Sequence, residues 1–154
     1  MRPYCLPQTR MADETPTITI VDDDDSVRRA LARLLRASGY LVKTYASAPE
    51  YLSERPETED GPGCLLIDVR MPELDGLQLQ ALLNNENHGA AVVFMTGHGD
   101  VLTGVRAMKS GAVDFLLKPF LDDELLNAVG RALERNAESR HLRREIYNHS
   151  FRIR

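Results

Sequence analysis

The chain has 154 residues, a formal net charge of −4 and 43% hydrophobic residues. That is one domain of ordinary size with enough apolar side chains for a full core, and its negative balance argues against broad, nonspecific nucleic-acid binding by this chain alone. No apolar stretch approaches the ~20 residues that span a bilayer, and the opening MRPYCLPQTR lacks the apolar centre of a secretory signal, so a cytoplasmic protein is the expectation.

Cys5 and Cys64 have no metal-ligand spacing, and Cys64, which opens an apolar run, reads as a small buried thiol. Folded structure is expected to begin after Met11. Residues 1–16 read as a disordered extension, 17–136 as one folded domain and 137–154 as a basic tail or linker stub. That tail carries five arginines against two glutamates and reads as a frayed helical extension or linker.

In chain order, Thr17 to Val21 alternates β-branched residues and predicts a strand. Asp24 or Asp25 suits the N-cap of a helix whose Val27, Leu31, Leu34 and Leu35 recur at helical spacing, and Ser38-Gly39 supplies the stop. Leu41 to Tyr45 predicts a second strand, and Ser47 caps a short helix through Leu52. Glu54 to Gly63 is a polar loop. The unbroken apolar run Cys64 to Ile67 fits a strand buried on both faces.

After the turn MPELDG, Leu77, Leu79, Leu82 and Leu83 mark a helix. Ala91 to Met95 predicts a fourth strand, TGHGD a loop, and Val101 to Lys109 a modest helix ended by Gly111. Val113 to Leu117 is a fifth strand. Asp122 is read as the cap of a last helix with the stripe Leu125, Leu126, Val129, Ala132 and Leu133. Five β–α units predict an α/β fold, (βα)5, with helices on both faces of a parallel sheet.

Four of the predicted strands end in polar residues: Asp22 and Asp23 follow the first, Asp68 the third, Thr96 the fourth and Lys118 the fifth. In an open parallel sheet those carboxyl ends line one crevice. Two carboxylates about 4 Å apart repel by roughly 4 kcal/mol at an effective dielectric near 20, so the cluster calls for positive charge. Lys118 supplies one unit and a hard divalent cation two; Mg²⁺ suits a few carboxylates and shares its other positions with phosphate oxygens. Taken singly, Asp68 could merely end a strand, Lys118 sit on the surface and Thr96 cap a turn. For Asp24 and Asp25 a solvated loop and helix cap is the preferred reading.

The segments IVDDDDSVRRAL, LLIDVRMPELDG, VVFMTGHGD and GAVDFLLKPF resemble the receiver domains of two-component response regulators, and TGHGDV with GAVDFLLKPF resembles the FixJ-type subgroup. The likeness covers about Thr17 to Asn136. It implies a five-stranded, doubly wound parallel sheet of the flavodoxin/CheY-like kind. It implies Asp68 as acceptor of a phosphoryl group from a sensor histidine kinase. It also implies Mg²⁺ held by Asp23, Asp68 and the backbone carbonyl of Arg70, with Asp22 acting mainly through metal-bound water.

Thr96 and Lys118 would each contact a phosphoryl oxygen, the Lys118–Pro119 bond would be cis, and Thr96 with Phe115 would form the switch. The other reading of Phe115 is a core phenylalanine, with the switch role preferred; Arg70 and His98 read equally as shields of the acyl phosphate or as exposed bystanders. The implied output is phosphorylation-dependent homodimerisation or effector docking through the fourth helix, fifth strand and fifth helix. Transcription regulation would follow through a DNA-binding domain outside this chain, the alternative being a stand-alone receiver that acts by docking.

Asp22-Asp23-Asp24 also loosely resembles the D-x-D nucleophile motif of haloacid-dehalogenase-type phosphatases. That enzyme reading is disfavoured, because Lys118 precedes Pro119 and Asp122-Asp123 fall at a helix start. The chain is expected not to be an enzyme.

Overall fold

Alternating β-branched runs and amphipathic stretches fold as their periods dictate: β1 (Thr17–Val21), α1 (Asp25–Ala37), β2 (Leu41–Tyr45), α2 (Ala48–Glu54), β3 (Cys64–Asp68), α3 (Gly76–Asn85), β4 (Ala91–Thr96), α4 (Val101–Lys109), β5 (Asp114–Leu117) and α5 (Asp122–Ile153). The computed structural model describes residues 15–55, 63–86, 90–97 and 101–153, those after 137 by their backbone alone. The expected N-terminal extension through residue 14, most of the loop after Glu54, and His98 lie outside the described residues.

The five strands form one sheet in the order β2-β1-β3-β4-β5, and every neighbouring pair is parallel. From β1 the chain winds outward to β2, then returns across β1 to β3 and proceeds the other way. The winding therefore reverses between β1 and β3, and the crevice for ligands in such sheets opens at that switch point.

Period-two alternation sends the strand side chains into two cores. Ile18, Ile20, Cys64, Leu66, Val93 and Met95 pack beneath α1 and α5. Val21, Leu65, Ile67, Val92 and Phe94 pack beneath α2, α3 and α4. Each such large side chain, fully removed from water, contributes about 1.5–3 kcal/mol, so the central strands β1, β3 and β4 anchor the sheet. β2 is an edge strand with Lys43 and Thr44 exposed, a charged and polar rim of the kind that discourages edge-to-edge pairing.

Local chemistry sets the helix ends. Asp24 is the N-cap of α1, its carboxylate accepting from the Ser26 and Val27 N–H groups. Those bonds, Val27 first, hold the Asp24 carboxyl below the ordinary carboxylate range. Ser47 caps α2, and Asp75 with Gln78 closes a capping box on α3. The expected cap at Asp122 shifts by one residue. Asp122 is the first helical residue, the Leu121 carbonyl accepts the first intrahelical bond from Leu125 N, and the Glu124 carboxylate accepts from Leu121 N. A run of three acids at a helix start gives no local sign of which residue stands outside it. β3 and β4 each run one residue further than their apolar runs, ending on Asp68 and Thr96, and β5 starts at Asp114 rather than Val113. α5 continues past Asn136 to Ile153.

Candidate functional site

The carboxyl ends of β1, β3, β4 and β5 bring Asp22, Asp23, Asp68, Thr96 and Lys118 to one rim of the sheet. Register fixes the placement: Val21 pairs with Ile67, Asp68 with Met95 and Thr96 with Leu117. Lys118 follows directly, and its backbone N–H donates to the Thr96 carbonyl at 2.8 Å. The Lys118–Pro119 bond is cis.

Asp22, Asp23 and Asp68 each offer a carboxylate oxygen within 4.8 Å of the others. Asp22 has 0% exposure, whereas Asp23 is open to solvent. The Lys118 ammonium bridges the buried pair, donating to Asp22 Oδ2 at 2.8 Å and lying 3.6 Å from Asp68 Oδ2. Asp22 is further fixed by the Asp24 N–H on Oδ1 at 2.9 Å and by its own N–H on the Tyr45 carbonyl at 3.2 Å. Its backbone carbonyl accepts from Arg28 Nη1 at 2.7 Å. A buried carboxylate with that many partners is a fixed electrostatic post, leaving Asp68 as the less committed acid.

Burial pushes the Asp68 carboxyl up to about 6, reinforced by the negative charge of Asp22 and opposed by Lys118. Burial alone would lower the Lys118 ammonium. Its hydrogen bond to Asp22 and the two carboxylates outweigh that and raise it, so the lysine stays charged. Three carboxylates facing one ammonium leave the rim short of positive charge. The donor set is all hard oxygen and open on the Asp23 side, which fits Mg²⁺ with phosphate or water completing its coordination.

Thr96 is fully buried at the end of β4. Phe115, on β5, is half-buried, and its ring edge fills the space left by Gly104 of α4: a Cβ there would stand 3.3 Å from Phe115 Cε2. Arg70 is exposed, with its N–H 3.4 Å from Asp68 Oδ1. Cys64 is buried away from the rim, and burial raises its thiol well above the ordinary range, as suits an inert packing residue.

Besides Gly104, two residues escaped the reading of the sequence. Gly76 opens α3 directly under the site: a Cβ would meet the Asp68 carbonyl at 2.6 Å and Ile67 Cγ2 at 2.9 Å, while Gly76 N donates to Val69 O at 2.9 Å. Only glycine lets α3 approach β3 so closely, and the one local signal was a glycine between the cap Asp75 and the first helical leucine. Arg28 holds the Asp22 carbonyl from the first turn of α1, a contact without a periodic signature. Asp24 spends its carboxylate on the α1 cap, which removes it from a D-x-D pair.

A doubly wound five-stranded parallel sheet with an acidic, lysine-bridged pocket at its carboxyl rim defines an α/β domain of the CheY-like receiver fold. The chain belongs to the response regulator receiver domain family, whose model matches residues 18–130. It is 46% identical over 131 residues to nodulation protein W of Bradyrhizobium diazoefficiens, covering 85% of this chain and 57% of that protein. It is likewise 46% identical over 125 residues to the transcriptional regulatory protein FixJ of Azorhizobium caulinodans, covering 81% of this chain and 58% of that one. Among solved structures, the response regulator StyR superposes with a TM-score of 0.79 at 43% identity, covering 87% of this chain and 67% of that one. The chain thus spans a little over half the length of these two curated relatives. Among the described residues no helix is long and apolar enough to cross a membrane.

Proposed function

We propose that this receiver accepts a phosphoryl group from a sensor histidine kinase on Asp68 and converts it into a change of its α4–β5–α5 face. The observation that carries the reading is the convergence of Asp22, Asp23 and Asp68 within 4.8 Å around the Lys118 ammonium. Asp68 is the nucleophile because Asp22 is already saturated by partners and Asp23 lies at the solvent edge. With its carboxyl near 6, Asp68 is largely ionised at neutral pH and needs no general base.

An Asp68 carboxylate oxygen attacks phosphorus, the P–N bond to the kinase histidine breaks, and the imidazole departs with that electron pair, leaving an acyl phosphate. Lys118, already 3.6 Å from Asp68, pairs with one phosphoryl oxygen, and the Thr96 hydroxyl would meet another. Asp23, Asp68 and the Arg70 carbonyl would hold Mg²⁺, with Asp22 supporting it at one remove. When bound, the ion neutralises charge that spreads over the phosphoryl oxygens. Side chains set before the reaction stabilise that charge without reorganising.

The new group carries roughly −1.5 to −2 charge and draws donors toward it. Thr96 moving inward would open space for Phe115, whose ring rests against α4 at Gly104. Among the described residues, six of the eight exposed large hydrophobics lie on this side: Val101, Leu102, Val105 and Met108 of α4, with Leu117 and Leu121. Exposed large apolar side chains concentrated on one helix and the strand end beside it suit an interaction site. The occupant proposed is a second phosphorylated copy, with transcription regulation through a DNA-binding domain as the output and the cytoplasm as its place.

Phosphoramidate, whose P–N bond stands in for phosphohistidine, tests the transfer. With Mg²⁺ the wild type should gain hydroxylamine-labile phosphate and double its sedimenting mass, while Asp68→Asn does neither. Labile phosphate on Asp68→Asn would overturn the assignment, and a phosphorylated monomer would remove dimerisation.

A further inference from the structure

Away from the aspartates, a cavity of about 490 Å³ lies between α1 and the edge strand β2. Its walls are Arg28, Arg29, Arg33 and Arg36 of α1, with Thr44 opposite and Asp25 at one end. Arg29, Arg33 and Arg36 recur at i, i+4 and i+7 and so share one helix face. Like charges at that spacing destabilise a helix.

One acid answers them. Asp25 accepts from Arg28 at 2.9 Å and lies 3.2 Å from Arg29, and among the described residues neither Arg33 nor Arg36 has an ion-pair partner. Arg36 donates to the Val42 carbonyl at 3.2 Å, which steers it toward the β2 edge with donors to spare. In a chain of net charge −4, a concave surface with four arginines against one aspartate is a local exception.

We infer that this groove binds a small anion carrying two or more linked phosphoryl groups. The planar guanidinium fork meets phosphate oxygens two at a time, and every basic group of the lining is arginine rather than lysine. The Thr44 hydroxyl adds a neutral donor. The volume falls in the range of small-ligand sites. A protein segment fits less well, because docking surfaces rely on buried aromatic or aliphatic anchors and the only apolar residue in the lining is Ala32. Arg28 belongs to both places: its Nη2 faces Asp25 in the groove, and its Nη1 holds the carbonyl of Asp22 at 2.7 Å. An anion that competes with Asp25 for Arg28 therefore bears on the backbone of the acidic pocket.

Calorimetric titration of the full chain with inorganic tripolyphosphate, in buffer stripped of divalent cations, tests the site. One ion should bind per chain. Arg33→Gln/Arg36→Gln should weaken it at least tenfold, Arg33→Lys/Arg36→Lys by less, and Asp68→Asn not at all. Both arginines are exposed, so the folded state of each variant is checked by its circular dichroism. No binding, unchanged affinity in the glutamine variant, or loss of binding in Asp68→Asn would overturn the inference. A glutamate-rich peptide binding more tightly than tripolyphosphate would overturn it too, in favour of a protein occupant.

Discussion

Asp68 should destabilise the metal-free fold it serves. Its carboxyl rises from the ordinary 3.8 to about 6, chiefly through burial and then through Asp22. That is about two pH units, and at 1.36 kcal/mol per unit the ionised group costs the folded state about 3 kcal/mol. The sign follows from proton binding. Between pH 3.8 and about 6 the folded chain holds a proton that the unfolded chain has lost, so stability falls as pH rises through that window. Below it the cost vanishes; above it the cost is complete.

Asp68→Asn keeps the shape and never ionises. At pH 7.5 without divalent cations it should be more stable than the wild type by up to about 3 kcal/mol, or about 6–12 °C in Tm. At pH 4 the two should melt together. Added Mg²⁺ should raise the wild type more than the variant, narrowing the gap. Calorimetry across pH 4–8 reads all of this. A variant no more stable than the wild type at pH 7.5, or one whose advantage persists at pH 4, would refute the electrostatic account of the pocket.

Three further changes probe its supports, each read by urea denaturation without metal. Lys118→Met strips the counter-charge from the fully buried Asp22. It should destabilise by about 2–4 kcal/mol, toward the lower end for a broken buried pair because Lys118 keeps 22% exposure. Gly76→Ala drives a methyl group into the Asp68 carbonyl and should cost about 1–3 kcal/mol while disturbing Mg²⁺ affinity. Asp75→Ala removes the α3 capping box and should cost about 1 kcal/mol without altering Mg²⁺ binding, which separates helix stability from site geometry.

The rim was legible because its residues stand at the ends of apolar runs, Asp23 one place further on, and strand ends in a parallel sheet converge by topology. β1 coincides with Thr17–Val21, whose β-branched run stops abruptly at Asp22, and β2 with Leu41–Tyr45. The cap of α1 was legible only as Asp24 or Asp25, and the bonds from the Ser26 and Val27 N–H groups single out Asp24. Contacts that no local period encodes were not legible. Arg28 reaches back to the Asp22 carbonyl, Gly76 yields room to β3, and Gly104 yields room to the Phe115 ring. Each depends on how two elements pack, and the sequence between them carries no trace of the distance. The cap of α5 was misplaced for a different reason: Asp122, Asp123 and Glu124 are chemically alike, and only the Leu121 carbonyl decides where the helix begins.

Intact mass after incubation with a small-molecule phosphodonor, with and without Mg²⁺ and beside Asp68→Asn, tests the central claim most directly. The account predicts one added phosphoryl group on the wild type, absent without the metal and absent from the variant. An equal gain on Asp68→Asn, or on the wild type in metal-free buffer, would contradict it.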